Sequence, residues 1–307
     1  MATPRQADPG ITAFIDHLQH ERRLSAHTVK NYRLDLYRFE HFCRDRGIKV
    51  WKKVDSHFIR AYVGVLHRKA LSGRSIQRAL SAIRMFYRYL IREGIAETNP
   101  ADKIPAPKTA KRLPKALTVD QVNRLLDGPA ENDTATKKPL EERDQAILEL
   151  MYSSGLRLSE LVAMDLSGLD LEQGLVRVVG KGAKTRIVPV GRFARAALHQ
   201  WLKTRSGLAH PDESALFVGS GGKRLSPRTI QQRIAHWARQ KGLEQPVHPH
   251  MLRHSFASHL LESSGNLRAL QELLGHADIS TTQIYTHLDF QHLAKVYDKS
   301  HPRARKK

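Results

Sequence analysis

Four closely spaced prolines constrain the fold of this chain more than any other feature. They are Pro100, Pro105, Pro107 and Pro114. Proline has no backbone N–H and fixes its own φ, so a stretch this rich in proline cannot continue a helix and favours an extended chain. The 307 residues are enough for a hydrophobic core on either side. We therefore predict a first domain at residues 1–98, a basic linker at 99–116 and a second domain at 117–307.

The first domain is predicted to be entirely helical. Apolar residues recur every three or four positions from residue 11 onward, and Ser25 is placed to cap a long second helix. The clearest stripe lies in a fourth helix at residues 74–93. Its apolar positions are Ile76, Leu80, Ile83, Tyr87 and Leu90. Cys43, the single cysteine, is predicted to be a small core residue, and one cysteine cannot form an internal disulfide, which favours a reducing compartment.

The opposite side of this fourth helix carries five arginines, and the helix has no acidic residue before Glu93. The five are Arg74, Arg78, Arg84, Arg88 and Arg92. Charged helix faces are usually solvated, but a face with a single sign of charge also suits the phosphate backbone of DNA. We predict DNA contacts from four of these arginines and from one lysine of the second domain. The predicted DNA-binding residues are Arg74, Arg78, Arg84, Arg88 and Lys184.

The overall composition also points to a polyanionic partner. The chain has 51 lysines and arginines against 30 aspartates and glutamates, a formal net charge of +21. Such an excess attracts nucleic acid, although a merely soluble basic protein remains an alternative on composition alone. No apolar run approaches the 18 or so residues that a membrane-spanning helix needs, and the N-terminus lacks the apolar core of a signal peptide. We therefore expect a cytoplasmic, nucleoid-associated protein.

The second domain is predicted to be mainly helical, with a small antiparallel β-sheet. Residues 175–179 and 186–189 are rich in β-branched side chains, and a glycine-containing loop joins them, which predicts a β-hairpin. Lys181 lies in that loop between two glycines. Residues 216–218 are predicted to add a third short strand.

Six residues of the second domain form the predicted catalytic set. They are Arg157, Lys181, His250, Arg253, His276 and Tyr285. Guanidinium forks match the nonbridging oxygens of a phosphodiester, and donors aimed at developing charge are usually the largest catalytic contribution. A tyrosine has a reference pKa of about 10, so it needs a positive field or a base to act as a nucleophile. A mobile lysine suits protonation of the departing 5′-oxygen. The set predicts attack of a phenol on a phosphodiester, and no metal or other cofactor is implied because arginines can neutralise the phosphate instead.

Other interpretations remain open from the residues alone. His250 and His254 have a spacing that could bind zinc, but no glutamate accompanies them and Arg253 would repel a cation. Arg157 could simply form a modest surface ion pair with Glu160. The competing functions are a type IB topoisomerase, a DNA-binding module without catalysis, and a metal-dependent nuclease. A covalent protein–DNA adduct and the joining of two DNA sites would separate them.

The segments around these residues resemble the tyrosine recombinase (phage integrase) family, specifically its bacterial Xer type. The matching segments are GLRLSEL at 155–161, GKG at 180–182, HMLRHSFA at 250–257, LLGH at 273–276, and Tyr285. The resemblance extends over nearly the whole chain. The ending at residues 296–304 is more similar to the XerC subtype than to its partner subtype XerD. A phage or integron integrase is the alternative within the family.

The resemblance implies a helical, SAM-like core-binding domain and a catalytic domain with a C-terminal exchange helix, together forming a C-shaped clamp on DNA. It implies that Tyr285 attacks the scissile phosphate and forms a 3′-phosphotyrosyl intermediate, with Arg157 and Arg253 gripping the phosphate and His276 assisting. His250 would act as base and Lys181 as acid.

The resemblance also implies an assembly and a target. Two DNA sites would be joined in a tetramer, through a Holliday junction, with an XerD-like recombinase. The implied site is dif, the implied role is resolution of chromosome dimers, and the implied further partner is an FtsK-like septal DNA translocase.

Overall fold

The computed structural model describes residues 8–107, 116–127, 139–180 and 185–264. The chain divides into two compact units, Met1–Arg112 and Leu113–Lys307. The predicted exchange helix near the C-terminus lies outside the described residues. Within the described ranges, every helix is too short or too polar to traverse a lipid bilayer.

The described part of the first unit contains four α-helices, and its all-helical prediction is confirmed. They are α1 (Pro9–His20), α2 (Ala26–Arg44), α3 (Ser56–Arg68) and α4 (Gly73–Arg92). Each begins after a residue whose side-chain oxygen accepts a backbone N–H of the first turn, which satisfies donors that have no partner within the helix. The predicted cap at Ser25 is confirmed, because its Oγ accepts from the N–H of Thr28 at 3.3 Å.

The predicted apolar stripe of α4 lies at the centre of the first unit. All five of its residues are buried, and so is Cys43 on α2. The hydroxyl of Tyr87 donates to the carbonyl of Trp51 at 3.0 Å, and the Trp51 ring packs edge-on against Phe86 with centroids 5.1 Å apart. Because α4 packs against α1, α2 and α3, burial of this one stripe orders the whole unit.

The described part of the second unit combines α-helices with a three-stranded antiparallel sheet, as predicted. In chain order the elements are α5 (Val119–Leu126), α6 (Pro139–Ser154), α7 (Leu158–Val162), β1 (Leu169–Asp170), β2 (Leu175–Val179), β3 (Thr185–Pro189), α8 (Arg192–Arg205), α9 (Pro227–Gln240) and α10 (Pro249–Ser264). The strand order is β1-β2-β3, and Val178 on β2 is the register partner of Arg186 on β3.

The predicted third strand at residues 216–218 is wrong. The third strand of the sheet is β1, and the segment that includes Leu216 makes only isolated bridges, one of them between Val218 and Arg224. The reason is that side chains from other elements donate hydrogen bonds to the carbonyl groups of this segment. The Trp201 indole donates to the carbonyl of Leu216 at 2.9 Å, and the Arg143 guanidinium donates to that of Val218 at 3.1 Å. These carbonyls are therefore not paired in a ladder.

Helix α6 forms the centre of the second unit. It is buried on most sides, and it packs against α8, α9, α10 and β3. At its C-terminal end, the hydroxyl of Ser154 donates to the carbonyl of Pro189, the last residue of β3, at 2.8 Å. The end of α6 is therefore fixed by the sheet as well as by neighbouring helices, and the residues that follow it start from a rigid position.

Candidate active site

The site is built on the sharp corner that joins α6 to α7. Gly155 follows α6 with a φ of 56°, a left-handed conformation that glycine adopts without steric cost. Arg157 then takes an extended conformation and occupies the N-cap position of α7. Its side chain is 35% exposed, so it reaches the surface from a backbone that is fixed by the corner.

Glu160 organises the residues around this corner. Its carboxylate accepts from the backbone N–H of Arg157 at 2.8 Å through Oε2, and from Nη1 of Arg157 at 2.8 Å through Oε1. The glutamate thereby caps α7 and orients the arginine at the same time. Its side chain is only 1% exposed. The expected ion pair of Arg157 with Glu160 is therefore confirmed, but it is not a modest surface interaction, because the carboxylate is buried.

Two more guanidinium groups approach the same carboxylate. Arg186 of β3 donates to both oxygens, from Nη1 to Oε1 at 2.6 Å and from Nη2 to Oε2 at 3.0 Å. Nη1 of Arg253 on α10 lies 4.0 Å from Oε2 and donates to the carbonyl of Gly155 at 2.5 Å. Arginines from three elements therefore surround a single buried glutamate.

The electrostatics of this cluster keep Glu160 and Arg253 charged near neutral pH. Burial by itself would raise the pKa of the Glu160 carboxyl, but hydrogen bonds from Arg186 and from Arg157 outweigh burial and place the pKa below its ordinary value. Burial, together with the positive charge of Arg157, lowers the pKa of the Arg253 guanidinium to about 10. A residual positive charge therefore remains at this corner, and it can bind an anion such as a phosphodiester.

Helix α10 carries a third predicted residue as well as Arg253. His250 is exposed on the first turn, one turn before Arg253 on the same helix, and residues at this spacing lie on one face. Further along α10, the Ser255 hydroxyl accepts from the backbone N–H of Leu117 at 2.8 Å. The buried ring of His259 shares a hydrogen bond of 2.9 Å with the Tyr152 hydroxyl. It also forms a hydrogen bond with the backbone of Leu117. The helix is thus fixed both to α6 and to the start of the domain.

The structure brings together two of the six predicted catalytic residues, Arg157 and Arg253, and it places His250 one turn before Arg253 on α10. Lys181, His276 and Tyr285 lie outside the described residues, and so does Lys184. Sequence reasoning named Glu160 only as a possible ion-pair partner of Arg157, and it missed Arg186 as a member of the site. The spacing of Glu160 from Arg157 was a usable signal, because a glutamate three residues after an N-cap is typical of a capping box. Nothing in the local sequence marks Arg186.

The arginines of α4 differ in their surroundings. Arg78 forms a fork with Asp35 of α2, from Nε to Oδ2 at 2.7 Å and from Nη2 to Oδ1 at 3.1 Å. Arg92 lies 2.8 Å from Glu93 and 3.4 Å from Glu21. The expectation that this face lacks acidic partners before Glu93 is therefore wrong, because Asp35 of α2 and Glu21 after α1 supply them.

Arg84 has a third kind of environment. Its Nε donates to the carbonyl of Ala101 at 3.0 Å and its Nη2 to that of Ile104 at 2.5 Å. These bonds hold the first part of the proline-rich stretch against α4. Arg74 and Arg88 are exposed, and they are the two predicted DNA-binding arginines with the most accessible side chains.

Family profiles match both units of the chain. The phage integrase family matches residues 115–292, and the N-terminal SAM-like domain of phage integrases matches residues 11–94. The fold is similar to that of the XerH site-specific recombinase bound to palindromic difH substrate in a post-cleavage complex. That comparison has a TM-score of 0.68 at 22% identity and covers 94% of this chain and 84% of that chain.

Two curated relatives are much more similar in sequence. The chain is 55% identical over 297 residues to the tyrosine recombinase XerC of Pseudomonas aeruginosa strain LESB58, which covers 97% of this chain and 96% of that protein. It is also 55% identical over 302 residues to the tyrosine recombinase XerC of Azotobacter vinelandii strain DJ, at 98% of both chains. The chain therefore belongs to the phage integrase family of tyrosine recombinases, within its XerC group.

Proposed function

We propose that this recombinase acts at a chromosomal dif-type site, together with an XerD-like recombinase, to resolve chromosome dimers. As a tyrosine recombinase it breaks and rejoins DNA strands by transesterification. The proposal adds the target, a tetramer of two recombinase types, and control by an FtsK-like septal translocase. The XerD-like and FtsK-like partners fit the XerC names of its relatives, and a dif-type target fits the difH substrate that the XerH recombinase binds.

One observation carries the chemistry of this proposal. Arg253 and the corner at Gly155, 98 residues apart in sequence, are joined by a hydrogen bond, which places Arg253 beside Arg157 at one buried carboxylate. Paired guanidinium groups in a fixed geometry suit the two nonbridging oxygens of a phosphodiester. They would stabilise the additional negative charge that develops as a fifth oxygen approaches phosphorus.

The remaining steps follow from residue chemistry. The phenolic oxygen of Tyr285 forms a bond to phosphorus while the bond from phosphorus to the 5′-oxygen breaks. His250 accepts or shares the phenolic proton, Lys181 gives a proton to the departing 5′-oxygen, and His276 assists at the phosphate. The phosphotyrosyl bond conserves the phosphodiester energy, so a 5′-hydroxyl from the second DNA site can reverse the step without ATP.

The first unit would hold the DNA in this scheme. We propose residues 1–98 as the core-binding domain, with Arg74 and Arg88 against the phosphate backbone, and Lys184 as a contact from the catalytic domain. Arg78 and Arg84 would contribute from positions where they also stabilise the protein. The C-terminal residues, including 292–298, would dock on a neighbouring protomer, so that only the assembled tetramer cuts.

The test is a nicked suicide duplex that carries a dif-type site, incubated with this protein and its partner recombinase. We expect a covalent adduct whose DNA maps to Tyr285, formation of the adduct in the presence of a chelator, and no adduct with Tyr285→Phe although that variant still binds DNA. DNA attached to another residue, or loss of the adduct on chelation, would refute the mechanism. Relaxation of supercoils by the monomer, without joining of two sites, would indicate a type IB topoisomerase instead.

A further inference from the structure

Arg186 belongs to the cluster at Glu160 although neither the motif residues nor their spacing include it. Its side chain is 15% exposed, and its two Nη atoms donate to both carboxylate oxygens of Glu160. It lies on β3, where register pairing with Val178 of β2 fixes its backbone. The contact therefore connects the sheet to the first turn of α7.

The carboxylate of Glu160 poses an electrostatic problem for phosphate binding. It is a negative charge beside the two arginines that are proposed to hold a negatively charged phosphodiester. With Arg186, three guanidinium groups surround this single carboxylate, which leaves the cluster with an excess of positive charge. Without Arg186, the carboxylate would lose its strongest partner and would repel the incoming phosphate.

The geometry of the fork has a second consequence. Because Arg186 holds both oxygens, it fixes the plane of the carboxylate. That plane in turn determines where Oε1 meets Nη1 of Arg157 at 2.8 Å, and Oε2 meets the backbone N–H of Arg157 at 2.8 Å. A rotated carboxylate would move the Arg157 side chain and would bring a free oxygen toward Arg253.

We propose that Arg186 is a positioning residue for cleavage: through Glu160 it orients Arg157 and cancels the carboxylate charge that the scissile phosphate would otherwise meet. The proposal rests on the proposed roles of Arg157 and Arg253 at the phosphate. Arg186 itself touches neither the DNA nor the reacting atoms in this scheme.

The test compares two versions of the nicked suicide duplex in the presence of the partner recombinase. One carries the normal scissile phosphodiester, and the other carries a methylphosphonate, in which a methyl group replaces a charged oxygen and makes the phosphorus centre neutral. For Arg186→Gln we expect the rate of adduct formation on the phosphodiester to fall about 10- to 100-fold, the range seen when groups that orient metal ligands are removed. On the methylphosphonate the loss should be much smaller, because a neutral centre is not repelled by Glu160.

The matched control is Arg177→Gln, which removes an exposed arginine from β2 of the same sheet. It should cleave both substrates at rates close to those of the unsubstituted protein. Melting temperature and DNA affinity are measured for every variant. Equal losses on both substrates with Arg186→Gln, or no loss on either, would overturn the proposal, since a merely structural residue affects both substrates alike.

Two further variants test whether Arg186 acts through Glu160. In a Glu160→Gln background, where the charge is already removed, Arg186→Gln should add little to the loss in rate. Full additivity of the two losses would contradict the proposal. Arg186→Lys keeps the charge but cannot hold both oxygens, so it should recover only part of the rate. Complete recovery would show that orientation by the fork is unimportant.

Failure of this inference can be told apart from failure of the proposed function. If the unsubstituted protein forms no adduct with the phosphodiester, or if Arg157→Gln cleaves as fast as the unsubstituted protein, the proposed roles at the phosphate are wrong. If those two proteins behave as expected and Arg186→Gln resembles Arg177→Gln, only the role of Arg186 is refuted.

Discussion

The two units of this recombinase use buried carboxylates in different ways. In the first unit, Asp35 receives a fork from one arginine, Arg78, and a second arginine, Arg38, is 3.8 Å away and mostly exposed. In the second unit, Glu160 is hydrogen-bonded by two guanidinium groups, and a third approaches to 4.0 Å while remaining largely buried. The first arrangement joins two helices, whereas the second concentrates positive charge at a corner of the chain.

The comparison teaches that the spacing of arginines along one helix does not predict which arginines share a buried carboxylate. The arginines of α4 were visible from sequence spacing, yet three of them, Arg78, Arg84 and Arg92, bond other parts of the same unit. The arginines at Glu160 come from α7, β3 and α10, and only packing brings them together.

The two units also anchor the ends of the proline-rich stretch differently. In the first unit, the Arg84 guanidinium holds the carbonyls of Ala101 and Ile104. In the second unit, Ser255 and His259 of α10 hold the backbone of Leu117. The second anchor lies on the helix that carries His250 and Arg253, so a disturbance at Leu117 can reach the site.

The largest expected effect is on the rate of DNA cleavage, and it distinguishes an arginine at Glu160 from an arginine at Asp35. Arg253→Gln should reduce the rate of adduct formation on the suicide duplex by about 10²- to 10³-fold, the cost of removing one preorganised oxyanion donor. Arg78→Gln should leave the rate within bound complexes nearly unchanged. Single-turnover cleavage at saturating protein measures both rates. The exposed Arg239, changed to Gln, is the control for the loss of one positive charge from the second unit. Equal cleavage rates for Arg253→Gln and Arg239→Gln would show that Arg253 contributes no more to cleavage than any other positive charge of the second unit.

The second effect concerns stability of the first unit. Arg78→Gln should lower the free energy of unfolding by about 1–3 kcal/mol, because Asp35, which is only 2% exposed, loses its fork and keeps its buried charge. Denaturant unfolding followed by circular dichroism measures the change. Adding Asp35→Asn should restore part of the stability, since it removes the carboxylate that has lost its fork. A stable Arg78→Gln variant with weakened DNA binding would instead favour the original prediction that Arg78 faces DNA.

A smaller effect is expected at the anchor of the second unit. Ser255→Ala removes the acceptor for the N–H of Leu117 and should cost about 1–2 kcal/mol of unfolding free energy. It should also slow cleavage slightly, because α10 carries Arg253. Unfolding and single-turnover cleavage are measured on the same preparation. The exposed Ser263→Ala on the same helix is the control, and identical behaviour of the two variants would show that this bond contributes nothing.

The smallest effect is a dependence of stability on pH. Burial lowers the pKa of His259 below its ordinary value of 6.5, although Glu262 and the bond to Leu117 oppose this shift. The folded state therefore binds fewer protons than the unfolded state as the pH falls below 6.5, and stability decreases by at most about 1.4 kcal/mol per pH unit for this one group. Unfolding between pH 7.5 and 5.5 measures the slope. His259→Gln should make this slope smaller than in the control His250→Gln, which changes an exposed histidine. An unchanged slope would show that His259 does not cause the pH dependence.

The sequence alone determined the local features of this protein. Helix caps, the buried stripe of α4 and the β2–β3 hairpin were predictable because capping, periodic burial and glycine-containing turns act between residues close in the chain. The residue types of the proposed site were predictable for a similar reason, since they fall in short motifs. Helix α8 was overlooked, although its buried residues Ala194, Leu198 and Trp201 follow helical spacing.

Only the tertiary structure decided which charges meet. Asp35 and Arg78 are 43 residues apart, and Glu160 and Arg186 are 26 residues apart. It also decided that residues 216–218 do not join the sheet, because side chains from α6 and α8 bond their carbonyls. Periodicity reports which face of an element is buried, but it carries no information about which element packs against that face. The partner of a buried charge is therefore determined by packing, and packing is what makes Glu160 the centre of the arginine cluster.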